Sequence, residues 1–160
     1  MGSKPTYLTP EELVAIVDQR FAALVLYARS WNVAAAEDLV QDAFLKLVEQ
    51  PRRPENPGAW LCKTIRNAAI SRHRQSQRRQ KHETEAARSR PDWFGPADSL
   101  LAKEAEEKLA ELDASQREIV VLRIWNQLSF DEIAELTGMP KTSAFRMYSE
   151  ALQELRRKLS

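Results

Sequence analysis

Basic side chains are concentrated in one stretch of the chain, between residues 63 and 90. This stretch holds nine lysines and arginines against two glutamates, a formal charge of +7. The residues before it carry −2 and those after it carry −4, so the net charge of +1 hides the asymmetry. Clustered cations neutralise the phosphates of a nucleic acid, which makes the stretch a candidate binding surface. A merely solvated, partly disordered basic tract is the alternative interpretation.

No pattern in the chain predicts catalysis, a metal centre or a cofactor. His73 and His82 share no helical face with a carboxylate cluster, and the single cysteine, Cys62, cannot form an internal disulfide or a multi-cysteine zinc site. Neither a phosphate-binding loop nor a nucleophile motif is present. No apolar run approaches the ~20 residues of a membrane span, and no secretory signal begins the sequence. A non-enzymatic cytoplasmic protein without membrane insertion is expected.

Helical periodicity runs through the first part of the chain. Thr9 followed by Pro10, with Glu12 three residues on, predicts the start of a first helix. A second helix is predicted from about residue 35 to 49, and Asn56 before a proline predicts the cap of a third. The residues expected to face the core from the first helix are Leu13, Ile16, Val17, Phe21, Leu24, Val25 and Ala28.

Two domains are expected from the change in composition after the third helix. Prolines and a glycine between Pro91 and Pro96 mark a linker. The predicted fold is all-α: a helical domain over residues 8–80, a linker over 81–98, and a second helical domain over 99–160. Asp98 and Ser99 start a helix in the second domain, and Asp113 caps the next, whose inward residues are Ile119, Val120, Leu122 and Ile124.

The last thirty residues predict a helix-turn-helix motif. Ser129 with Glu132 forms a capping box, Gly138 ends the short helix, and Pro140 starts a final helix that runs to about Arg157. The start of such a second helix meets base edges and phosphates in the major groove. An ordinary helical hairpin is the alternative. The residues predicted to face DNA there are Lys141, Thr142, Ser143, Arg146 and Met147.

Three segments together resemble the extracytoplasmic-function sigma factors, the small promoter-recognition subunits of bacterial RNA polymerase. They follow one another in the family's order and span most of residues 10–159. The segments are Ala36-Glu37-Asp38-Leu39-Val40-Gln41-Asp42-Ala43-Phe44-Leu45, then Ala59-Trp60-Leu61 with Ile65-Arg66-Asn67, then Leu128-Ser129-Phe130-Asp131-Glu132-Ile133-Ala134 with Gly138-Met139-Pro140.

The resemblance implies a subunit that binds core RNA polymerase and directs promoter recognition and transcription initiation. It places the second helix against a coiled coil of the polymerase's largest subunit, through Asp38, Gln41, Asp42 and Leu45. It also implies an anti-sigma protein as a partner, docked on exposed apolar or acidic surface of the C-terminal domain. Trp60 is a candidate stacking platform for single-stranded DNA, although a core position is the preferred interpretation.

The same resemblance assigns the near promoter element to the third helix. That helix is expected to end near Asn67, where a short loop over residues 68–71 pockets a base flipped from the melted strand. Unstacking that base costs a few kcal/mol, which polar and cationic groups must offset. The residues assigned to this element are Lys63, Arg66, Asn67, Ser71, Arg72, Arg74, Arg78 and Arg79.

Two departures from the family pattern bear on promoter choice. Ser71 stands where many members have an aspartate, so base preference is open at this position. Phe145, Met147 and Glu150 replace the basic residues that are common in the final helix. Either the far element is bound weakly, or Phe145 and Met147 contact thymine methyls or a protein.

Two other protein classes compete with this interpretation. An autonomous helix-turn-helix regulator would bind duplex DNA tightly as a dimer at a palindromic site. A helical scaffold that binds only proteins would tolerate neutralisation of Arg72, Arg74 and Arg78. A sigma factor would bind duplex DNA weakly by itself and prefer melted DNA with polymerase present.

Overall fold

The structure is a computed structural model that describes residues 7–80 and 100–159, in which helices are the regular secondary structure and no strand occurs. None of the helices in these ranges is long and apolar enough to cross a membrane. The expected linker and the Asp98-Ser99 helix start lie outside the described residues. The helices are α1 (Pro10–Arg29), α2 (Ala36–Glu49), α3 (Pro57–Gln80), α4 (Leu100–Glu111), α5 (Ala114–Val120), a π-helical turn (Val121–Trp125), α6 (Phe130–Thr137) and α7 (Lys141–Leu159).

Side-chain caps start the helices where the sequence predicts. The Thr9 hydroxyl accepts a hydrogen bond from the Glu12 amide at 3.2 Å, and the Glu12 carboxylate accepts one from the Thr9 amide. The Asp113 carboxylate caps α5 through the Gln116 amide at 2.9 Å. Each cap satisfies amides that the helix itself leaves unpaired, typically worth about 1 kcal/mol.

Helices α1, α2 and α3 pack together into an N-terminal half. The buried end of α1 is broader than its periodicity predicts, because Leu26 and Tyr27 are buried as well as Leu24 and Ala28. Leu13 and Ile16, near the start of the helix, are only partly buried. The end of α1 is covered from a second side by the C-terminal half, which one helix's periodicity cannot reveal.

The C-terminal half, α4 to α7, contains one irregularity that the sequence does not predict. The chain from Val121 to Trp125 forms a π-helical turn rather than continuing α5. An extra residue per turn rotates the following side chains around the axis. Val121 and Leu122 are consequently buried, whereas Ile124, expected to face inward, is 44% exposed.

The two halves pack against each other, and their buried side chains form one continuous cluster. Helix α1 contacts the π-helical turn, and α3 contacts α6. Asn56 caps α3 by accepting a hydrogen bond from the Ala59 amide at 3.2 Å, and its side-chain amide also donates to Glu132, the capping residue of α6. Two helix starts therefore meet at this boundary.

Glu106 is a buried carboxyl on α4 and is only 4% exposed. Burial raises its pKa from 4.5 to about 8, although the positive charge of Arg29 on α1 acts in the opposite direction. One of its oxygens, Oε2, has no hydrogen-bond partner. The folded chain therefore favours the neutral acid at this position.

Replacing Glu106 with Gln is expected to flatten the pH dependence of stability. The folded chain retains this proton up to about pH 8, whereas the unfolded chain releases it near pH 4.5, so rising pH destabilises the native protein across that window. Urea unfolding should show the variant more stable at pH 8 by roughly 1–3 kcal/mol, and less different at pH 5. The exposed neighbour Glu107, changed to Gln, is the control. An equal difference at both pH values would contradict the assignment.

Candidate nucleic-acid interface

Helix α3 carries both core residues and all of the basic residues assigned to the near promoter element. It is continuous over 24 residues, about 36 Å long at 1.5 Å per residue. Leu61, Cys62, Ile65 and Ala69 of its first half are buried in the core. Burial also raises the pKa of the Cys62 thiol to about 12, so this cysteine stays protonated and unreactive at neutral pH.

One face of α3 presents an exposed polar stripe. At about 100° per residue, its members fall within roughly 80° of one another around the helix axis. All of them are exposed, and the stripe runs past the end of the core into the second half of the helix. The α3 stripe consists of Lys63, Asn67, Ser71, Arg74 and Arg78.

The loop expected over residues 68–71 is absent, because α3 passes through it without interruption. No glycine or proline lies between Gly58 and Pro91 to end the helix earlier. Ala69 is only 4% exposed, and Ala68 and Ile70 are half-buried. The prediction of a base-capturing loop was wrong, because the backbone is helical there. Within residues 67–71, only Asn67 and Ser71 are exposed.

Two of the assigned arginines lie off the stripe and contact other side chains. The Arg72 guanidinium is 3.4 Å from the Asp42 carboxylate of α2, with both side chains about half exposed. A pair this long and this exposed contributes little stability. The Arg66 Nε donates to the Glu118 carboxylate at 2.7 Å, and its guanidinium lies 5.6 Å from the Trp31 ring centre. The side chain of Arg79 lies outside the described part of the molecule.

Glu118 of α5 is a functional candidate that the sequence analysis missed. Its carboxylate accepts hydrogen bonds from both Arg66 and the hydroxyl of Tyr27, each at 2.7 Å. Burial, and then the Glu118 charge, raise the pKa of Tyr27 well above its usual value. A carboxylate directly before the apolar run Ile119–Leu122 was the one available signal, since such a position borders a core.

The docking face predicted on α2 is open to solvent. Asp38, Gln41 and Asp42 are exposed, and Leu45 is 62% exposed. Val48, three residues beyond Leu45 on the same side, is 57% exposed and extends the apolar edge. The opposite side of the helix is buried through Leu39, Val40, Ala43 and Leu47.

The helix-turn-helix in the C-terminal half is formed by α6 and α7. Ser129 and Glu132 make the predicted capping box, with hydrogen bonds of 3.1 and 2.9 Å. Gly138 ends α6 at φ 76°, a left-handed conformation that favours glycine. Ile133 of α6 and Ala144 and Ala151 of α7 are buried.

The predicted DNA-facing residues of α7 are only partly presented. Lys141, Thr142 and Arg146 are exposed, and the Lys141 amine lies 3.1 Å from the Asp131 carboxylate. Ser143 is half-buried. Met147 is half-buried against the core, so its expected exposure was wrong; the helical turn that exposes Arg146 rotates Met147 inward.

An aromatic cluster stands beside the exposed start of α7. Phe145 is 57% exposed, and its ring meets Phe130 edge to face at 5.4 Å. Phe130 also contacts the Tyr148 ring at 5.4 Å and lies under the Arg123 guanidinium at 4.9 Å. Phe145 is therefore an apolar side chain held in place toward solvent. Trp60, by contrast, packs partly buried against the core, as its preferred interpretation expected.

The chain matches two family definitions in the order that its halves suggest. Residues 18–79 match Sigma-70 region 2, and residues 102–155 match Sigma-70, region 4. The first range contains the α3 stripe and the docking face, and the second contains the helix-turn-helix.

Named relatives and solved structures agree with these family matches. The chain is 36% identical over 138 residues to the RNA polymerase sigma factor CarQ of Myxococcus xanthus, covering 78% of this chain and 76% of CarQ. It is 28% identical over 132 residues to SigV of Bacillus subtilis (strain 168), with 81% and 78% covered.

Two solved structures share the arrangement of helices. The sigma factor RpoE, crystallised with the anti-sigma factor NepR from Bartonella quintana, has a TM-score of 0.69 at 26% identity, covering 93% of this chain and 94% of RpoE. CnrH, in complex with the cytosolic domain of CnrY, has a TM-score of 0.61 at 22% identity, covering 94% and 89%, and shows the fold alone. With these matches over both halves, the chain belongs to the extracytoplasmic-function sigma factors of the Sigma-70 family.

Proposed function

We propose that the α3 stripe holds the melted strand of the near promoter element while the chain is bound to core RNA polymerase. The single observation that carries this assignment is the alignment of Lys63, Asn67, Ser71, Arg74 and Arg78 on one exposed face. Lys63 lies at the start of the stripe, and Arg74 and Arg78 lie one turn apart at its far end, so the three cations can contact separate phosphates of an extended strand. Such a role is non-catalytic and belongs in the cytoplasm, where transcription takes place in bacteria.

Within the stripe, Asn67 and Ser71 read the flipped base. They lie one helical turn apart, and both are exposed. An amide and a hydroxyl provide donors and acceptors for a base edge. Because the backbone here is helical, the pocket for the base forms between side chains and the surface of α3, with the polymerase closing it.

The domain division proposed from the sequence assigns one task to each half. Residues 8–80 bind polymerase and the near element, residues 81–98 connect the halves, and residues 99–160 read the far element. In the second half, Lys141, Thr142 and Arg146 are the polar groups exposed at the start of α7. Phe145 offers an apolar contact to a thymine methyl group there.

The docking face on α2 binds the polymerase. Its carboxylates and Leu45 form a mixed acidic and apolar surface with no role in the core of the N-terminal half. We also propose that an anti-sigma protein holds this chain, since the solved relative RpoE was captured with one. The C-terminal half exposes apolar surface suited to such a partner, including Trp125 and Leu159.

An autonomous dimeric regulator is not favoured. Both halves match sigma factor regions, which leaves neither half to serve as a separate dimerisation or sensing domain. The distinguishing measurement is DNA preference: a sigma factor with core polymerase selects melted promoter DNA, whereas a dimeric regulator binds a duplex palindrome tightly by itself.

Changing Arg74 to Gln is expected to weaken binding of polymerase holoenzyme to forked promoter DNA and to make it less salt-dependent. Each lost single-strand phosphate contact should reduce the slope of log K against log salt by about 0.7. The matched control is Arg156→Gln, which changes an exposed arginine near the C-terminal end of α7, away from the α3 stripe and from the predicted DNA-facing start of α7. An unchanged slope for Arg74→Gln would place the strand elsewhere on the protein.

Changing Asn67 to Ala is expected to impair open-complex formation without weakening assembly with core polymerase, because the base loses its polar partner only after melting. Permanganate reactivity of promoter thymines reports the first quantity, and co-elution with core enzyme reports the second. Gln75→Ala removes an exposed amide from the same helix outside the stripe and serves as the control. Normal melting with the Asn67 variant would refute its role in base capture.

Changing Asp42 to Arg is expected to weaken assembly with core polymerase by about tenfold or more, since reversed charge at an interface costs at least 1.4 kcal/mol. The same change also repels Arg72, so Asp42→Asn, which only neutralises the charge, separates the local effect from the interface effect. Affinity for fluorescently labelled core enzyme is the measurement. Wild-type affinity for both variants would exclude this face from docking.

A further inference from the structure

The boundary between the two halves contains a charged group held by partners from both sides. Glu118 of the C-terminal half accepts hydrogen bonds from Tyr27 and Arg66 of the N-terminal half, each at 2.7 Å. The side chains of Glu118 and Arg66 are only 12% and 21% exposed. A carboxylate so far removed from water requires these partners, so separating the halves must expose or re-pair it.

A second set of contacts joins α1 to the residue that follows the π-helical turn, one to two helical turns from Tyr27 along α1. The Arg20 guanidinium donates to the backbone oxygen of Asn126 at 2.9 Å, and the Asn126 side-chain amide donates to the backbone oxygen of Ala23 at 3.3 Å. Gly58 leaves room for Arg20 to reach across, since a Cβ there would lie 3.0 Å from the guanidinium. The small residue at position 58 of α3 therefore permits the contact between Arg20 of α1 and Asn126.

The partner of Glu118 is also a residue that the family resemblance assigns to promoter phosphates. Arg66 lies on α3 one turn beyond Lys63 and directly before Asn67, about 60° around the helix axis from the nearest stripe residue. Its Nε already donates to Glu118 at 2.7 Å. The Glu118 carboxylate therefore uses one of the five N–H donors of this guanidinium and balances its charge, and a phosphate would compete with it because both anions bind guanidinium in the same way.

We propose that Glu118 is an internal competitor of promoter DNA: in the free chain it holds the two halves together and occupies Arg66. The polymerase-bound protein frees this arginine for a phosphate when the halves separate. This inference rests on the proposed function of α3. A ligand that binds only the state with separated halves binds more weakly when that state is less populated. The contact of Glu118 with Tyr27 and Arg66, here called the clasp, therefore lowers the affinity of the free chain for DNA.

The test uses the full chain with Glu118 changed to Gln, which keeps the shape and removes the charge. Nitroxide labels on the exposed positions Gln19→Cys in α1 and Ala110→Cys in α4 measure the separation of the halves; native Cys62 is buried. We expect a longer, broader distance distribution and roughly three- to tenfold tighter binding of a fluorescent forked oligonucleotide by the free chain. Glu107→Gln removes an equal charge from an exposed site and should change neither.

Tyr27→Phe removes only one hydrogen bond to Glu118 and should shift both readouts in the same direction by less, which keeps the test valid if the Glu118 variant folds poorly. Distance distributions unchanged by both variants would overturn the clasp. Open halves without tighter DNA binding than the Glu107 control would overturn the competition for Arg66. Failure of the proposed function is recognised separately, as loss of forked-DNA selectivity from wild-type holoenzyme, where the clasp has no part.

Discussion

The orientation of α3 is the constraint on which both halves of this protein depend. Burial of Leu61, Cys62, Ile65 and Ala69 fixes the rotation of the helix about its axis. Because an α-helix transmits that rotation along its length, the same contacts aim the exposed residues beyond the core, where no packing would otherwise hold them. The hydrophobic core of the N-terminal half thereby determines the direction of a cationic surface that lies largely outside it.

In the C-terminal half, the turn between α6 and α7 positions the exposed residues at the start of α7. The left-handed Gly138 ends α6 and turns the chain toward α7, and Ile133, Ala144 and Ala151 of these two helices are buried. The exposed start of α7 is less basic than the family pattern, and Phe145 is instead supported by Phe130. The start of α7 therefore presents the apolar Phe145 together with two exposed cations, Lys141 and Arg146.

The polar contact between the halves removes two charged side chains from water. Glu118 and Arg66 lose hydration on closure and recover it only through each other and Tyr27. These polar groups lie alongside buried apolar side chains from both halves, and water, phosphate or protein can replace each polar partner when the halves separate. A sigma factor must change partners between free, polymerase-bound and inhibited states, and such a boundary suits those exchanges.

The amino-acid sequence by itself determined the features that depend on local physics. Helix starts at Thr9, Asp113 and Ser129 follow from neighbouring groups, and the family resemblance rests on short segments read in order. The absence of glycine and proline between Gly58 and Pro91 also lets α3 continue through residues 68–71, so that helical spacing by itself aligns the stripe. The tertiary structure alone decided that Ile124 turns outward and that Arg66 meets Glu118. These two outcomes depend on contacts between residues far apart along the chain, whose energies no local pattern of residues contains.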